Sequence, residues 1–118
     1  MTILTNEFLE SFEISISNFD DSQTLPPEIY TSEEFLDFER KTIFDHEWLC
    51  VGLANSIPDS GDWFTKTVNG EPLIIARGKD AQIRAFSAVC QHRAMQICEG
   101  SGNNSKFKCP YHHWIYDL

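Results

Sequence analysis

Two short phrases, Cys90-Gln91-His92 and Cys109-Pro110-Tyr111-His112, constrain this chain more than any other feature. Each pairs one thiol with one imidazole, and sixteen residues separate His92 from Cys109. Groups that far apart in sequence act together only where two loops meet. The fold must therefore bring the tips of two neighbouring strand pairs to one point.

The donor set is two sulfurs and two nitrogens. A two-iron, two-sulfide cluster is too wide for one compact loop, but two loops can grip it like jaws, each giving one Cys and one His. Cys90 and Cys109 would then bind the inner iron, and His92 and His112 the outer one. This mixed set is that of a Rieske [2Fe–2S] centre, where two His replace two Cys on one iron. Two ferric ions, two sulfides and two thiolates sum to zero charge, whereas four thiolates would leave the site negative. An electron enters the neutral site more easily, at roughly −150 to +300 mV against about −400 mV for plant-type all-Cys centres. Three other readings stay open beside this one. The same four side chains fit the composition of a tetrahedral zinc shell, although zinc spacings ordinarily pair Cys with Cys and His with His. A disulfide between the two cysteines would require an oxidising compartment, to which nothing in the sequence directs the chain. Chance spacing is the third.

The stretch Cys90-Gln91-His92-Arg93 with Cys109-Pro110-Tyr111-His112-His113-Trp114-x-Tyr116 resembles the Rieske motif of the Rieske non-haem iron oxygenases, in their α subunits. The resemblance runs from about Tyr30 to Leu118 and includes Trp48-Leu49-Cys50-Val51-Gly52 and Ile57-Pro58-x-x-Gly61-Asp62. It implies an antiparallel, mostly β Rieske-type domain with an N-terminal helix, and Cys90, His92, Cys109 and His112 as ligands of one [2Fe–2S] cluster. Arg93, Tyr111 and Trp114 are implied neighbours of that cluster, Trp114 as an apolar wall. Two positions depart from the family wording: its Gly after the Arg is Ala94 here, and the Gly of Y-H-G-W is His113. His113 reads as a surface neighbour, because His112 holds the matching offset. The respiratory branch carries an extra Cys in each loop. Met95 and Tyr111 stand at those places, which points to the low end of the potential range. Cys50 and Cys98 lie outside the pattern and read as buried thiols that pack as small hydrophobes.

The resemblance also implies an electron-accepting oxygenase: a reductase or ferredoxin as donor, a homotrimeric parent, and a mononuclear Fe(II) in a separate catalytic domain. That iron needs two His and a carboxylate. No second set of such donors is present, and His46 reads as a helix-end residue. The expectation is a fragment whose Rieske domain is incomplete at the C-terminus and which does not turn over substrate alone. Two alternatives are a stand-alone Rieske ferredoxin and a zinc-stapled interaction module.

Charge sets the domain boundary. The net charge is −9, yet residues 1–39 hold ten acidic side chains and no Lys or Arg, while residues 40–118 are nearly neutral. We read residues 1–29 as an acidic arm ending in the Pro26-Pro27 linker, and 30–118 as the cluster domain. A basic face for nucleic acid is lacking. So is an apolar run of bilayer length, and the start has no signal core, so the expected address is the cytoplasm.

Thr31-Ser32-Glu33-Glu34 predicts a capping box with Thr31 as cap, opening a helix to about Phe44. Strands are expected at Trp48–Val51, Trp63–Val68, Pro72–Arg77, Gln82–Val89 and Trp114–Tyr116. Asn69-Gly70 is a two-residue hairpin signal, and 99–105 reads as a polar turn.

Overall fold

The computed structural model describes residues 5–118; the first four residues of the expected arm lie outside them. The chain divides between Leu49 and Cys50 into two compact units.

The first unit is helical. Short helices α1 (Asn6–Glu10), α2 (Glu13–Ile16) and α3 (Glu28–Thr31) precede α4 (Glu33–Glu39), which continues as one wider π turn over Arg40–Phe44. The helix thus ends at Phe44 as expected, but its cap is Ser32: that hydroxyl accepts the Phe35 N–H at 3.2 Å. Ser32 has the extended backbone (φ −89°, ψ 122°) that a cap needs. Thr31 still belongs to α3, where its hydroxyl donates to the Pro27 carbonyl. Phe8, Phe12, Phe35 and Phe38 join edge-on and stacked, at centroid separations of 5.2–6.4 Å. None of residues 5–49 is buried, so this aromatic cluster is not a sealed core. No helix among the described residues is long and apolar enough to cross a membrane.

The second unit is antiparallel β, as the sequence predicts. Strands β1 (Asp62–Val68), β2 (Glu71–Arg77) and β3 (Ile83–Ser87) form a meander. Asn69 (φ 48°) and Gly70 (φ 88°) make its first turn, both left-handed as a primed hairpin turn requires. Two expectations need correction. Trp48–Val51 forms no strand; it runs without backbone pairing and Trp48 is fully exposed. An apolar run becomes a strand only if an edge is free to pair with it. Conversely, the polar stretch 99–105 contains β4 (Ser101–Asn103), which pairs with Asp62–Phe64 and completes the order β3-β2-β1-β4. β4 needs Gly102, because a Cβ there would press on the Trp63 indole at 3.2 Å. A second sheet is the hairpin β5 (Lys106–Lys108) and β6 (Ile115–Asp117).

Residues of both sheets and of the loops form the core: Trp63, Ile74, Ala76, Ala88, Ile97 and Phe107, together with Cys90 and Cys109. Trp63 meets Phe107 edge-on at 5.5 Å and donates from Nε1 to Asn104 Oδ1 at 3.1 Å. Arg77 ties the lead-in to the sheet by donating to the carbonyls of Ile57 (2.6 Å) and Ala54 (3.0 Å), and braces the turn after β2 by donating to that of Ala81 (2.8 Å). Phe107 precedes Cys109 by two residues, so packing of this core sets where the second loop begins.

Candidate metal centre

Two loops built alike carry the candidate donors. In the first, which follows β3, the Cys90 N–H donates to the Met95 carbonyl at 2.8 Å, and its carbonyl accepts the Ala94 N–H at 2.9 Å. In the second, between β5 and β6, the Cys109 N–H donates to the Trp114 carbonyl at 2.8 Å, and its carbonyl accepts the His113 N–H at 3.1 Å. Each loop therefore closes through the same two bonds, from its Cys to the residues four and five positions on. That tight closure forces the fourth position into the left-handed region: Ala94 has φ 52° and His113 φ 64°. Both are the places where the resemblance expects Gly. The loops persist because the closing bonds hold the conformation that the side chains disfavour.

This gives a first expected outcome. Ala94→Gly and His113→Gly should each raise stability by about 0.5–1 kcal/mol, since glycine escapes the Cβ clash of the left-handed region. Urea unfolding checks it; a lower midpoint for both would contradict the loop geometry.

The four predicted donors come together as pairs. Cys90 and Cys109 are buried, at 2% and 1% exposure, and Cys109 is among the groups that lower the Cys90 thiol. His92 and His112 lie at the surface with ring centroids 4.7 Å apart and planes at 72°. Among the described residues no three His, Cys, Asp or Glu gather around a single ion position. The arrangement is two sulfurs inside and two imidazoles outside, and this fits a two-iron cluster better than one tetrahedral ion.

The surrounding side chains bear on charge and shape. The Tyr116 hydroxyl lies 3.1 Å from Cys90 Sγ and accepts the Gln91 N–H at 3.1 Å. Its hydrogen bond holds the Cys90 thiol below the usual thiol range against the effect of burial, with help from the backbone N–H groups of His92 and Arg93 and from Cys109. The same contact raises Tyr116 above the ordinary phenol value, which suits a donor to a thiolate. Tyr116 has no site role in the sequence reading. Its signal was the period of two from Trp114 along a strand, which places both side chains on one face. Trp114 is half exposed and lies flat on His92, with centroids 5.0 Å apart and planes within 2°. It is a lid on an imidazole rather than a core aromatic. Tyr111 leans on His112 at 3.7 Å. Arg93 is exposed, and its backbone is the smallest of the influences that lower the Cys90 thiol. Cys50, expected to be buried, is exposed because its run forms no strand. Cys98 is partly buried against the core, and burial pushes its thiol up.

Residues 47–118 match the Rieske [2Fe-2S] domain family. Biphenyl 2,3-dioxygenase subunit alpha of Rhodococcus jostii is 42% identical over 94 residues, which covers 79% of this chain and 20% of that protein. The carnitine monooxygenase oxygenase subunit of Acinetobacter baumannii is 38% identical over 103 residues, covering 86% and 28%. Among solved structures, naphthalene 1,2-dioxygenase from Rhodococcus sp. superposes with a TM-score of 0.80 at 33% identity over 97% of this chain and 26% of that one. The quaternary ammonium Rieske monooxygenase CntA gives 0.76 at 38% identity over 82% and 29%. The chain thus spans between a fifth and a third of the length of these relatives. Two loops with one closure, paired donors and a matching family model lead to one conclusion: the chain belongs to the Rieske [2Fe–2S] domain family.

Proposed function

We propose that Cys90 and Cys109 hold one iron of a [2Fe–2S] cluster, that His92 and His112 hold the other, and that the chain is the electron-entry domain of an oxygenase α subunit. The observation that carries this reading is the separation of the donors into a buried thiol pair and a surface imidazole pair. When bound, such a cluster takes up and releases one electron at a time. The residues supply what that needs. Cys90 and Cys109 keep the sulfurs out of water, the Tyr116 hydroxyl 3.1 Å from Cys90 would donate to a thiolate there, and His92 and His112 present nitrogen edges where a partner can approach.

Three oxygenase relatives support the wider reading, by their names subunits of a biphenyl 2,3-dioxygenase, a glycine betaine monooxygenase and a carnitine monooxygenase. Electrons would come from a reductase or ferredoxin and pass to a mononuclear iron in a catalytic domain outside residues 1–118. The parent would be a cytoplasmic homotrimer, with residues 1–29 as an acidic arm and 30–118 as the cluster domain. On this reading the chain binds iron and cycles one electron without turning over substrate.

Anaerobic reconstitution with ferrous iron and sulfide, in competition with zinc, tests it. About two iron and two acid-labile sulfides per chain are expected, with visible absorption and a rhombic EPR signal after reduction. A colourless protein holding one zinc per chain would overturn it. In the reconstituted protein, Tyr116→Phe should lower the reduction potential. A hydrogen bond to a charged sulfur stabilises the more negative reduced state more, and about 1 kcal/mol of difference is roughly 40 mV for one electron. Potentiometric titration reads the shift.

A further inference from the structure

We propose that Trp114 is a positioning residue: from the second loop, its indole fixes the plane of the His92 imidazole on the first. The inference rests on the reading of His92 as a cluster ligand and goes beyond it by naming what orients that ligand.

The stack is an interaction between loops. His92 belongs to the loop that begins at Cys90, and Trp114 closes the loop that begins at Cys109, its carbonyl accepting the Cys109 N–H. The two rings are parallel within 2°, at a separation suited to an offset stack. Tyr116, two residues on and within β6, reaches Cys90 and the Gln91 N–H. Two side chains, one closing the second loop and one on β6, therefore meet successive positions of the opposite loop: Trp114 on His92, Tyr116 on Cys90 and Gln91.

His92 needs such a grip. The torsion that turns an imidazole about its bond to Cβ has a broad profile, unlike the staggered torsions of aliphatic chains. Loop closure fixes the backbone but leaves that torsion free, and an exposed side chain would sample it on the ps–ns scale. A ligand nitrogen must point at its metal, so the ring plane has to be set by something outside the loop. Trp114 covers one face of His92, and His112 approaches it at 4.7 Å with its plane at 72°. The two histidines differ in this respect. Besides His92, the ring against His112 is Tyr111, from its own loop, tilted by 39°. Loss of Trp114 should therefore disturb one imidazole and spare the other.

Pulsed EPR on the reduced, reconstituted 118-residue protein reads the coupling of each ligand nitrogen to the unpaired electron. Trp114→Phe keeps a flat ring and should leave both couplings as in the parent. Trp114→Leu should broaden one of the two roughly twofold, as a freed torsion spreads the ring orientation, and Tyr111→Leu should not broaden that same one. Two unchanged couplings in Trp114→Leu overturn the proposal. A parent with no nitrogen coupling overturns the ligand assignment itself, so the two failures are distinguishable. Should Trp114→Leu take up no cluster, proton NMR of the metal-free chain decides. The ring-current shift of the His92 Cε1 proton, assigned by its absence in His92→Gln, must vanish in Trp114→Leu and persist in Trp114→Phe. An unchanged His92 resonance in Trp114→Leu again overturns it.

Discussion

Cys109→Ser leaves the reconstituted protein with less than about a tenth of the parent's iron and acid-labile sulfide, since even the loss of an outer-shell partner costs roughly 10–100-fold in metal affinity. Serine keeps the size of the side chain but replaces a soft thiolate with a hydroxyl that stays protonated. Cys109 is buried, at 1% exposure, so the hydroxyl would sit away from solvent. Cys90→Ser should behave alike, because the two loops close by the same pair of backbone bonds. Iron and sulfide assays after anaerobic reconstitution measure the effect. The informative contrast is His113→Gly, which alters the same loop without touching a donor and should retain the full cluster. Equal losses in Cys109→Ser and His113→Gly would mean that loop shape, and not ligation, limits assembly.

Trp63→Ala should cost about 3–5 kcal/mol of folding stability, the usual range for deleting a buried aromatic. Against a total of roughly 5–15 kcal/mol for a domain, such a loss brings the chain close to unfolding at ordinary temperature. Trp63 is 7% exposed and joins three parts of the unit. It lies on β1, meets Phe107 of β5 edge-on, and has Gly102 of β4 against its indole. Its removal opens a cavity and leaves the Asn104 side-chain oxygen Oδ1 without its Nε1 donor. Phe107 would then lose the wall that fixes it, and Cys109 follows two residues later. The urea midpoint should fall steeply, and cluster retention on warming should fall with it. Trp63→Phe keeps the edge-on contact and should recover most of the loss. Equal midpoints for parent and Trp63→Ala would show that the core does not depend on this indole.

The sequence made the central sheet legible because its signals are local. Apolar and β-branched residues mark β1 and β2, and Asn69-Gly70 supplies the left-handed pair that the turn demands. The errors came where a partner decides the outcome. Ser101–Asn103 has no apolar alternation and becomes a strand only because the edge of β1 stands open beside it. Trp48–Val51 has the composition of a strand but no pairing. Cys50 is exposed for the same reason. The helix cap moved from Thr31 to Ser32 because Thr31 was already held in the preceding turn, a competition that the local pattern does not reveal.

What the chain alone determined is its chemistry: two sulfurs and two imidazole nitrogens at offsets that two loops can present, a choice written in residue type and spacing. The tertiary structure decided how those donors are held. Packing of the two sheets brings Tyr116 within 3.1 Å of Cys90, twenty-six positions away in sequence, and lays Trp114 flat on His92. Such contacts depend on the path of the backbone between them, through β4 and the core around Trp63, and no local pattern encodes a distance across two loops.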